Sequence, residues 1–365
     1  ANRSTTRRES MTPEEFMALY WRHFMIAMMA ILGGLAILVA VYALRTRKLP
    51  EKKEHPKYFV NEVLIVVLLL VNIVVYPFLF DNIVVMPEHA HQIYTFIGVA
   101  GVINIIAWIV LVPIWRVENW FMYKFIFKKE QGSYVEWKER IRTNFKDTGF
   151  RDLLRKLIHF AYIPLIVVFW NQFSENPLGG GWNSQSSAVY YQANILYGFM
   201  IVMVIFDLVR LHSWKTFGLI PRIWAEGCIK PNELNTFNSA SPMLLSIMPF
   251  VLAGHRIFYC VVLIASVSDA MASIIGKNFG RRKIGKKTVA GFIAGTASTY
   301  LIIILINFIT PFPGYSVLDI NILAVAGAIA FFFVDRYVDQ ISDNFANPII
   351  VGLTLTILNW IISVL

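Results

Sequence analysis

A single carboxylate, Asp269, stands inside an otherwise apolar stretch that leads directly into a glycine-rich basic loop. This loop, residues 277–287, contains six Lys or Arg side chains. An unpaired acid in hydrocarbon costs several kcal/mol, so we expect Asp269 to face a cavity, a metal ion or a cationic partner. The alternative is a structural aspartate that pairs with a neighbouring helix. Helical spacing places Asp269 on one stripe with Ser273 and Gly276, which would point the same way.

The basic loop has the composition of a phosphate-binding segment. Glycines alternate with cations, and Lys287 and Thr288 open the next apolar stretch, whose first amides are expected to be free to bind an anion. It is not a Walker A loop, because Lys287 stands where Ser or Thr is required. An ordinary positive loop beside the membrane is the alternative. The residues expected to bind phosphate here are Gly276, Lys277, Gly280, Arg281, Lys286, Lys287 and Thr288.

Three aspartates near the C-terminus, Asp335, Asp339 and Asp343, recur every four residues and are followed by Asn344. On one continuous helix they would stack on a single face. Oxygen-rich sets of this kind suit Mg²⁺, although a solvated helix end is the alternative. Asp335 is the expected bystander. The predicted metal ligands are Asp269, Asp339, Asp343 and Asn344.

A further polar group opens the apolar stretch near residue 157. Arg155 and Lys156 would lie at the membrane edge, with His159 one turn inside. A histidine satisfied within a helix interface is the commoner arrangement. The functional alternative is that all three close the site around Asp269.

Composition excludes a soluble protein. The chain has 365 residues, of which 57% are hydrophobic and 15% charged, and its mean hydropathy is +0.58. Apolar runs that approach the roughly 20 residues needed to cross a bilayer predict an all-α fold, a polytopic transmembrane helical bundle with about ten spans. The runs are 24–44, 59–80, 92–115, 157–170, 189–209, 242–253, 257–276, 289–308, 320–334 and 348–365, of which 242–253 is too short to be secure.

The basic residues concentrate in alternate loops, which predicts that these loops, and a site beside them, face the cytoplasm. The expected membrane is endoplasmic reticulum-like or another internal membrane in a eukaryote, and the plasma membrane in a prokaryote. The net charge of +10 is spread over loops that flank spans. Anionic membrane lipids are therefore the expected partners, and nucleic acid is not. The sequence leaves open an oligomer or a larger membrane assembly.

Three regions follow from this pattern: residues 1–115, an accessory region with three spans; 116–150, a basic amphipathic segment; and 151–365, which carries the polar motifs. In the middle region aromatic residues alternate with Lys and Arg, which is typical of a helix lying in the headgroup layer. An ordinary cytoplasmic connector fits equally well. Five of its aromatic residues carry this pattern: Trp120, Phe121, Phe125, Phe127 and Trp137.

Four segments, in order, resemble the CTP-dependent membrane lipid kinases. That family includes dolichol, phytol, farnesol and diacylglycerol kinases and is distantly related to CDP-diacylglycerol synthases. The segments are Arg155-Lys156-x-x-His159, Asp269 to Gly280, Lys287-Thr288-x-x-Gly291, and Asp343-Asn344 followed by Pro348. Dolichol kinases carry Glu where this chain has Val289-Ala290, which is closer to the phytol and diacylglycerol kinase pattern.

The resemblance implies a lipid kinase that transfers the γ-phosphoryl group of CTP, or of another nucleoside triphosphate, to a lipid alcohol. It implies Mg²⁺ as cofactor, catalytic roles for Asp269, Asp343, Lys287 and His159, and nucleotide contacts from Arg155 and Lys156. Candidate acceptors are dolichol or another polyprenol, a phytol-like isoprenoid alcohol, and diacylglycerol. The alternatives are a cytidylyltransferase that forms a CDP-lipid, and a transporter or non-catalytic subunit of a membrane assembly.

Overall fold

The computed structural model describes residues 13–81, 109–128, 132–145, 184–285, 287–338 and 341–364. The first part comprises α1 (Pro13–Thr46), α2 (Pro50–Glu54), α3 (Pro56–Asp81), α4 (109–121), α5 (Tyr134–Asn144), α6 (Ser184–His212) and α7 (Leu219–Cys228). The second part comprises α8 (Ala240–Ile247), α9 (His255–Leu263), α10 (Asp269–Phe279), α11 (Val289–Ile309), α12 (Val317–Tyr337) and α13 (Asp343–Val364). Short irregular helical turns continue α4 (Met122–Ile126) and α8 (Met248–Ala253), and Ile264–Ser268 joins α9 to α10.

Seven helices within the described residues are long and apolar enough to cross a membrane. They lie in α1, α3, α6, the continuous helix His255–Phe279, α11, α12 and α13. The chain is therefore an all-α helical membrane protein. The count of about ten spans is not reached: 157–170 and most of 92–115 lie outside the described residues, and 242–253 belongs to a short apolar helix, Ala240–Ala253.

A two-stranded hairpin interrupts the otherwise helical architecture. Strands β1 (Lys283–Ile284) and β2 (Lys287–Thr288) pair antiparallel, with Lys283 opposite Thr288 and Ile284 opposite Lys287. Gly285 turns the chain with a φ of 62°, a conformation that glycine adopts without steric cost. The basic segment expected to be a loop is thus the last turn of α10 followed by a short hairpin that leads into α11.

The main apolar core extends through both halves of the chain. Helix α8 is buried along most of its length and packs against α3, α6 and α13. Helices α1 and α3 contribute residues such as Leu32 and Leu69 to the same core as Phe331 and Leu355 of α12 and α13. The N-terminal helices, grouped by sequence as an accessory region, are therefore part of one bundle with the rest.

Small residues bring α10 and α11 into close contact. A Cβ atom placed on Gly291 would lie 2.7 Å from the carbonyl oxygen of Ala272 and 3.3 Å from the Cα of Gly276. On Gly295 it would lie 2.5 Å from the ring of Phe331. Glycine at these positions permits the approach, because any larger side chain would push the helices apart.

An aromatic cluster beneath α5 corrects part of the interfacial prediction. Trp137 is buried against Tyr134 and Trp214, and its indole N–H donates to Glu226 at 3.0 Å. It therefore packs inside the protein and is not available to the headgroup layer. The other four aromatic residues named in that prediction are exposed: Trp120, Phe121, Phe125 and Phe127.

Candidate functional site

A cavity of about 650 Å³ lies at the end of the bundle where α3, α11 and α13 begin and α10 and α12 end. Its wall combines residues that are far apart in the sequence. The predicted site residues that line it are Asp269, Gly276, Lys277, Gly280, Lys287, Thr288, Asp343 and Asn344. The two polar motifs recognised separately, on α10–β2 and at the start of α13, therefore face one space.

Lys287 connects three elements at the centre of this wall. It lies on β2, and its ammonium group pairs with Asp335 at the end of α12 and with Asp343 at the start of α13, the latter at 3.3 Å. Burial alone would lower the pKa of Lys287, but the carboxylates of Asp343 and Asp335 outweigh that effect and raise it. The ammonium group therefore stays charged at neutral pH.

Asp335 is the most enclosed acid of the cavity. Its side chain is 1% exposed, and Oδ1 accepts a hydrogen bond from Lys287. The other oxygen, Oδ2, is buried and has no hydrogen-bond partner within the described part of the chain. A buried carboxylate oxygen without a donor is costly, so this atom marks a place for a cation or a donor from a ligand. Asp335 was expected to be a bystander; the structure places it on the cavity wall in an ion pair with Lys287, and its part in binding a metal stays open to experiment.

The predicted stack of aspartates on one helix is wrong. Helix α12 ends at Tyr337, and α13 begins at Asp343 with backbone bonds from Phe345 and Ala346 to the Ser342 carbonyl, at 2.9 and 3.1 Å. Asp335 and Asp343 therefore belong to two helices and meet through Lys287 instead of through helical spacing. Asp339 lies outside the described residues.

The charges of the cavity are arranged as an acidic centre with a basic surround. Asp269 lies within electrostatic reach of both Lys287 and Asp335. With Asp343, three carboxyl groups surround the single ammonium group of Lys287. The other cations that line the cavity are Lys57, Lys230, Lys277, Lys283 and Arg336. Such a site suits an anion that carries its own divalent cation.

The donor set fits Mg²⁺ only in one mode of binding. No three His, Cys, Asp or Glu side chains in the described ranges form a complete metal site. Mg²⁺, however, is commonly held by one or two carboxylates together with substrate phosphates. The unpartnered oxygen of Asp335 and the half-exposed carboxylate of Asp343 are ligands of that kind. The residues present therefore fit a magnesium ion that arrives with a phosphate ligand.

Two of the first three amides of α11 are not available as the phosphate cradle that the sequence suggested. Val289 N donates to the carbonyl of Arg282 at 3.0 Å, and Gly291 N donates to the Thr288 hydroxyl at 3.2 Å. That hydroxyl caps α11 and donates to the Gly276 carbonyl at 3.3 Å. The prediction of free amides is therefore wrong for Val289 and Gly291, because the hairpin and the cap use them.

Gly280 serves packing as well. A Cβ atom there would lie 2.4 Å from the Oγ1 of Thr288 and 2.2 Å from the carbonyl oxygen of Gly276. Binding of an anion at this wall consequently depends on side-chain cations more than on backbone. Arg281 is exposed and is not among the residues that line the cavity.

Helix α3 supplies a wall that sequence reasoning missed. Lys57, Tyr58, Asn61 and Ile65 line the cavity, and Asn61 Oδ1 accepts a hydrogen bond from Ser342 N at 3.2 Å. Residues 57, 61 and 65 are four apart and therefore share one helical face. The four-residue spacing of Lys57, Asn61 and Ile65 was visible in the sequence. It does not, however, distinguish a helix face that lines a cavity from the solvated start of a helix.

The remaining wall is the segment 230–239, which a buried ion pair holds in place. Arg210 Nη2 donates to Asp207 Oδ1 and to the Thr236 carbonyl, both at 2.7 Å. Asp207 Oδ2 accepts from Asn238 N at 2.9 Å and from Ser241 Oγ at 3.0 Å. Both side chains of the pair are fully buried. The sequence signal was an acid and a base three apart inside an apolar helix.

A second buried pair joins this segment to the N-terminal helices. Lys52 on α2 and Glu62 on α3 form an ion pair with side chains 1% and 0% exposed. The hydroxyl of Thr236, which lines the cavity, donates to Glu62 at 3.4 Å. The α3 wall and the 230–239 wall are therefore one connected unit.

Five predicted site residues lie outside the described residues. They are Arg155, Lys156, His159, Lys286 and Asp339. Their part in the site remains a prediction from the sequence alone.

No protein-family model and no solved structure matches the chain. The chain is similar to an uncharacterised protein of Rickettsia prowazekii (strain Madrid E), with 26% identity over 175 residues. The matched segment is 47% of this chain and 83% of the relative. At this identity, and with a relative whose name states no activity, the comparison assigns neither a family nor a function.

Proposed function

We propose that this protein is a membrane lipid kinase that transfers the γ-phosphoryl group of CTP, or of another nucleoside triphosphate, to the hydroxyl of a lipid alcohol. The observation that carries the proposal is the meeting of Asp269, Lys287 and Asp343 in one cavity at the end of a membrane-spanning bundle. These residues come from three separate stretches of the chain. Each stretch also carries a motif that resembles the CTP-dependent lipid kinases.

The charges of the cavity support a triphosphate as one substrate. The basic side chains around the cavity would hold its phosphates, and Lys287 would reach the phosphoryl group that is transferred. Asp335 and Asp343, together with the substrate phosphates, would hold Mg²⁺, which neutralises charge on the phosphates when bound. Phosphoryl transfer depends mainly on positioning and on electrostatic stabilisation, and both requirements have candidate groups here.

The acceptor would be a hydroxyl at the end of a lipid, because the cavity is built from the ends of membrane-spanning helices. In the reaction the hydroxyl oxygen forms the new bond to the γ-phosphorus, and the nucleoside diphosphate leaves. A carboxylate within hydrogen-bond reach accepts the hydroxyl proton. Asp343, which is 39% exposed and faces the cavity, is the candidate for this role.

The membrane side and the acceptor class belong to the same proposal. The cavity lies beside the basic segments 45–57 and 277–287, so the active site would face the cytoplasm by the distribution of positive charge. Dolichol or another polyprenol, a phytol-like isoprenoid alcohol and diacylglycerol are the acceptor classes to test. The membrane would be internal in a eukaryote and the plasma membrane in a prokaryote.

The test is the position of a radiolabel. Purified protein in lipid nanodiscs is given Mg²⁺ and a panel of lipid alcohols and lipid phosphates, with CTP or ATP labelled at the γ- or α-phosphorus. A kinase transfers the γ label to an alcohol. A cytidylyltransferase would transfer the α label to a lipid phosphate, which would replace the proposal by its closest alternative.

Matched variants make the assay specific to the cavity. Asp343→Asn is expected to abolish lipid labelling, while Glu139→Gln, an exposed acid on α5 that does not line the cavity, is expected to leave it unchanged. If neither label reaches lipid and Mg²⁺–nucleotide does not bind, the proposal fails. A transporter or non-catalytic subunit would then be the better description.

A further inference from the structure

The cavity has an apolar part as well as a charged one. Ile65, Phe237, Pro242 and Phe345 line it, and all four are buried. Contact with such a surface does not stabilise a bound phosphate or carboxylate, whereas it does stabilise a bound hydrocarbon chain. Two chemically different parts of one ligand, or two ligands, are therefore accommodated in the same space.

The apolar part lies between two membrane-spanning helices. Helices α3 and α13 each pack against α8, so they flank it, and Pro242 of α8 lines the cavity between them. On α3 the lining residues change from Lys57 through Asn61 to Ile65, one turn at a time toward the middle of the helix. The wall therefore becomes apolar with depth, in the direction in which the bilayer becomes apolar.

We propose that the groove between α3 and α13, over α8, binds the hydrocarbon chain of the lipid acceptor and points its hydroxyl toward Asp343. The occupant is an amphiphile because only a molecule with a polar end and an apolar chain is complementary to both parts of the cavity. Identifying that amphiphile as an acceptor rests on the proposed function. This position of the hydrocarbon chain makes α3 part of the substrate site.

The first test fills the groove with a large side chain. Ile65→Trp is expected to raise the KM for a long-chain alcohol about tenfold or more, with the KM for nucleotide unchanged, because only the hydrocarbon site loses volume. Val63→Trp is the matched control: it lies on the same helix, is 41% exposed and does not line the cavity. An Ile65→Trp protein that folds and keeps both KM values would overturn the inference.

The second test uses the unmodified protein and needs no turnover. A long-chain alcohol with a diazirine on its chain is photolysed in nanodiscs without nucleotide, and the labelled peptides are mapped. Labelling at residues 58–65 and 343–349 that excess unlabelled alcohol suppresses, and excess phospholipid does not, supports the groove. Suppressible labelling confined to other helices overturns it.

The two tests separate the inference from the function. Labelling in the groove together with an absence of phosphoryl transfer would reject the kinase and retain a lipid site between α3 and α13. Phosphoryl transfer with labelling elsewhere would retain the kinase and reject the groove. Thermal unfolding of each variant identifies any loss of activity that comes from misfolding.

Discussion

At the scale of single residues, Asp335 is the side chain that depends most on neighbouring charges and hydrogen-bond donors. Its carboxylate is buried at the end of an apolar helix, is paired with Lys287 through one oxygen and has no donor for the other in the described part of the chain. Removal of water from a charged group is expensive unless the charge is balanced. The arrangement is reasonable if the second oxygen acquires a cation together with the substrate.

Asp335→Asn tests that reading. The substitution keeps the shape but removes the charge, so the apparent affinity for Mg²⁺ is expected to fall about 10- to 100-fold. Titration of Mg²⁺ in the transfer assay and in a nucleotide-binding assay measures the change. Asp319→Asn, an acid at the start of the same helix, is the control. An unchanged Mg²⁺ dependence for Asp335→Asn would return Asp335 to the role of a bystander.

The raised pKa of Lys287 predicts how its contribution to stability depends on pH. A lysine whose pKa is higher in the folded state stabilises the fold fully below its unfolded pKa of about 10.4 and loses that contribution as the pH rises through the folded value. The difference in unfolding free energy between wild type and Lys287→Met should therefore be constant from about pH 7 to 9 and shrink near pH 11.

Denaturant unfolding in detergent at each pH gives this difference. The expected size at neutral pH is about 2 kcal/mol, below the range for fully buried pairs because Lys287 is 37% exposed. Lys53→Met, at an exposed lysine outside the cavity, should show no such difference. A difference for Lys287→Met that vanishes between pH 7 and 9 would contradict the assigned ion pairs.

The sequence identified Asp269, Lys287 and Asp343 because each belongs to a local pattern of polar residues in an apolar surrounding. It missed Asp335 because the partner of that residue is Lys287, 48 positions earlier in the chain. Helical spacing suggested a neighbour on the same helix instead. Periodicity reports which residues share a face, but it cannot report that a helix ends between two of them.

At the scale of elements, the contact between α10 and α11 fixes the hairpin that carries Lys287. Thr288 caps α11 and also bonds to the Gly276 carbonyl of α10, so the two helices and β2 are joined at one hydroxyl. Gly291 lies directly beneath this junction, against Ala272. A change in helix spacing there would displace Lys287 from Asp335 and Asp343.

Gly291→Ala is expected to lower the unfolding free energy by about 1–3 kcal/mol through overpacking, since the new Cβ would lie 2.7 Å from a backbone oxygen. Lipid phosphorylation should fall as well. Gly34→Ala, in α1 with nothing within 4 Å of the new atom, should be neutral or slightly stabilising. Equal stability of the two variants would show that α10 and α11 are not held this closely.

The transmembrane helices of the described ranges were predictable from the sequence, because about 20 apolar residues have few alternatives in a bilayer. The hairpin was not. Its strands have two residues each, one of which is Lys in both, so they show neither the alternation nor the apolar content that identifies a strand. Its basic residues were read as a loop, although Gly285 supplies the turn that a hairpin needs.

At the scale of the whole molecule, the cavity depends on buried ion pairs that tie the two halves of the chain together. Asp207 and Arg210 hold the segment 230–239, and Lys52 and Glu62 hold α2 and α3 against it. Neither pair belongs to a recognisable motif. Their function follows only from the tertiary structure, since the groups of segment 230–239 that they bind, the Thr236 carbonyl and hydroxyl and the Asn238 amide, are distant in the sequence.

A double-mutant cycle on Asp207 and Arg210 tests this role. Arg210→Met leaves a buried uncompensated carboxylate and should cost about 3–5 kcal/mol of unfolding free energy. The double variant Asp207→Asn/Arg210→Met should be more stable than Arg210→Met alone, with a coupling energy of at least about 1 kcal/mol. Additive effects in denaturant unfolding would contradict a direct pair.

The basic surround of the cavity predicts the response of the whole protein to salt. Cations that attract a triphosphate from solution do so less effectively as ionic strength rises, because screening shortens the reach of each charge to about 8 Å at physiological salt. The KM for nucleotide should therefore rise several-fold between about 0.05 and 0.5 M salt, while the KM for a lipid alcohol, which is uncharged, should change little.

Lys57→Gln and Lys230→Gln should raise the nucleotide KM at low salt and flatten its salt dependence, because both lysines line the cavity. Lys53→Gln, four residues before Lys57 and exposed outside the cavity, should leave the dependence unchanged. Equal slopes for all three variants would mean that the cations of α3 and segment 230–239 do not face the nucleotide, and the anion would then be held by the hairpin and α10 alone.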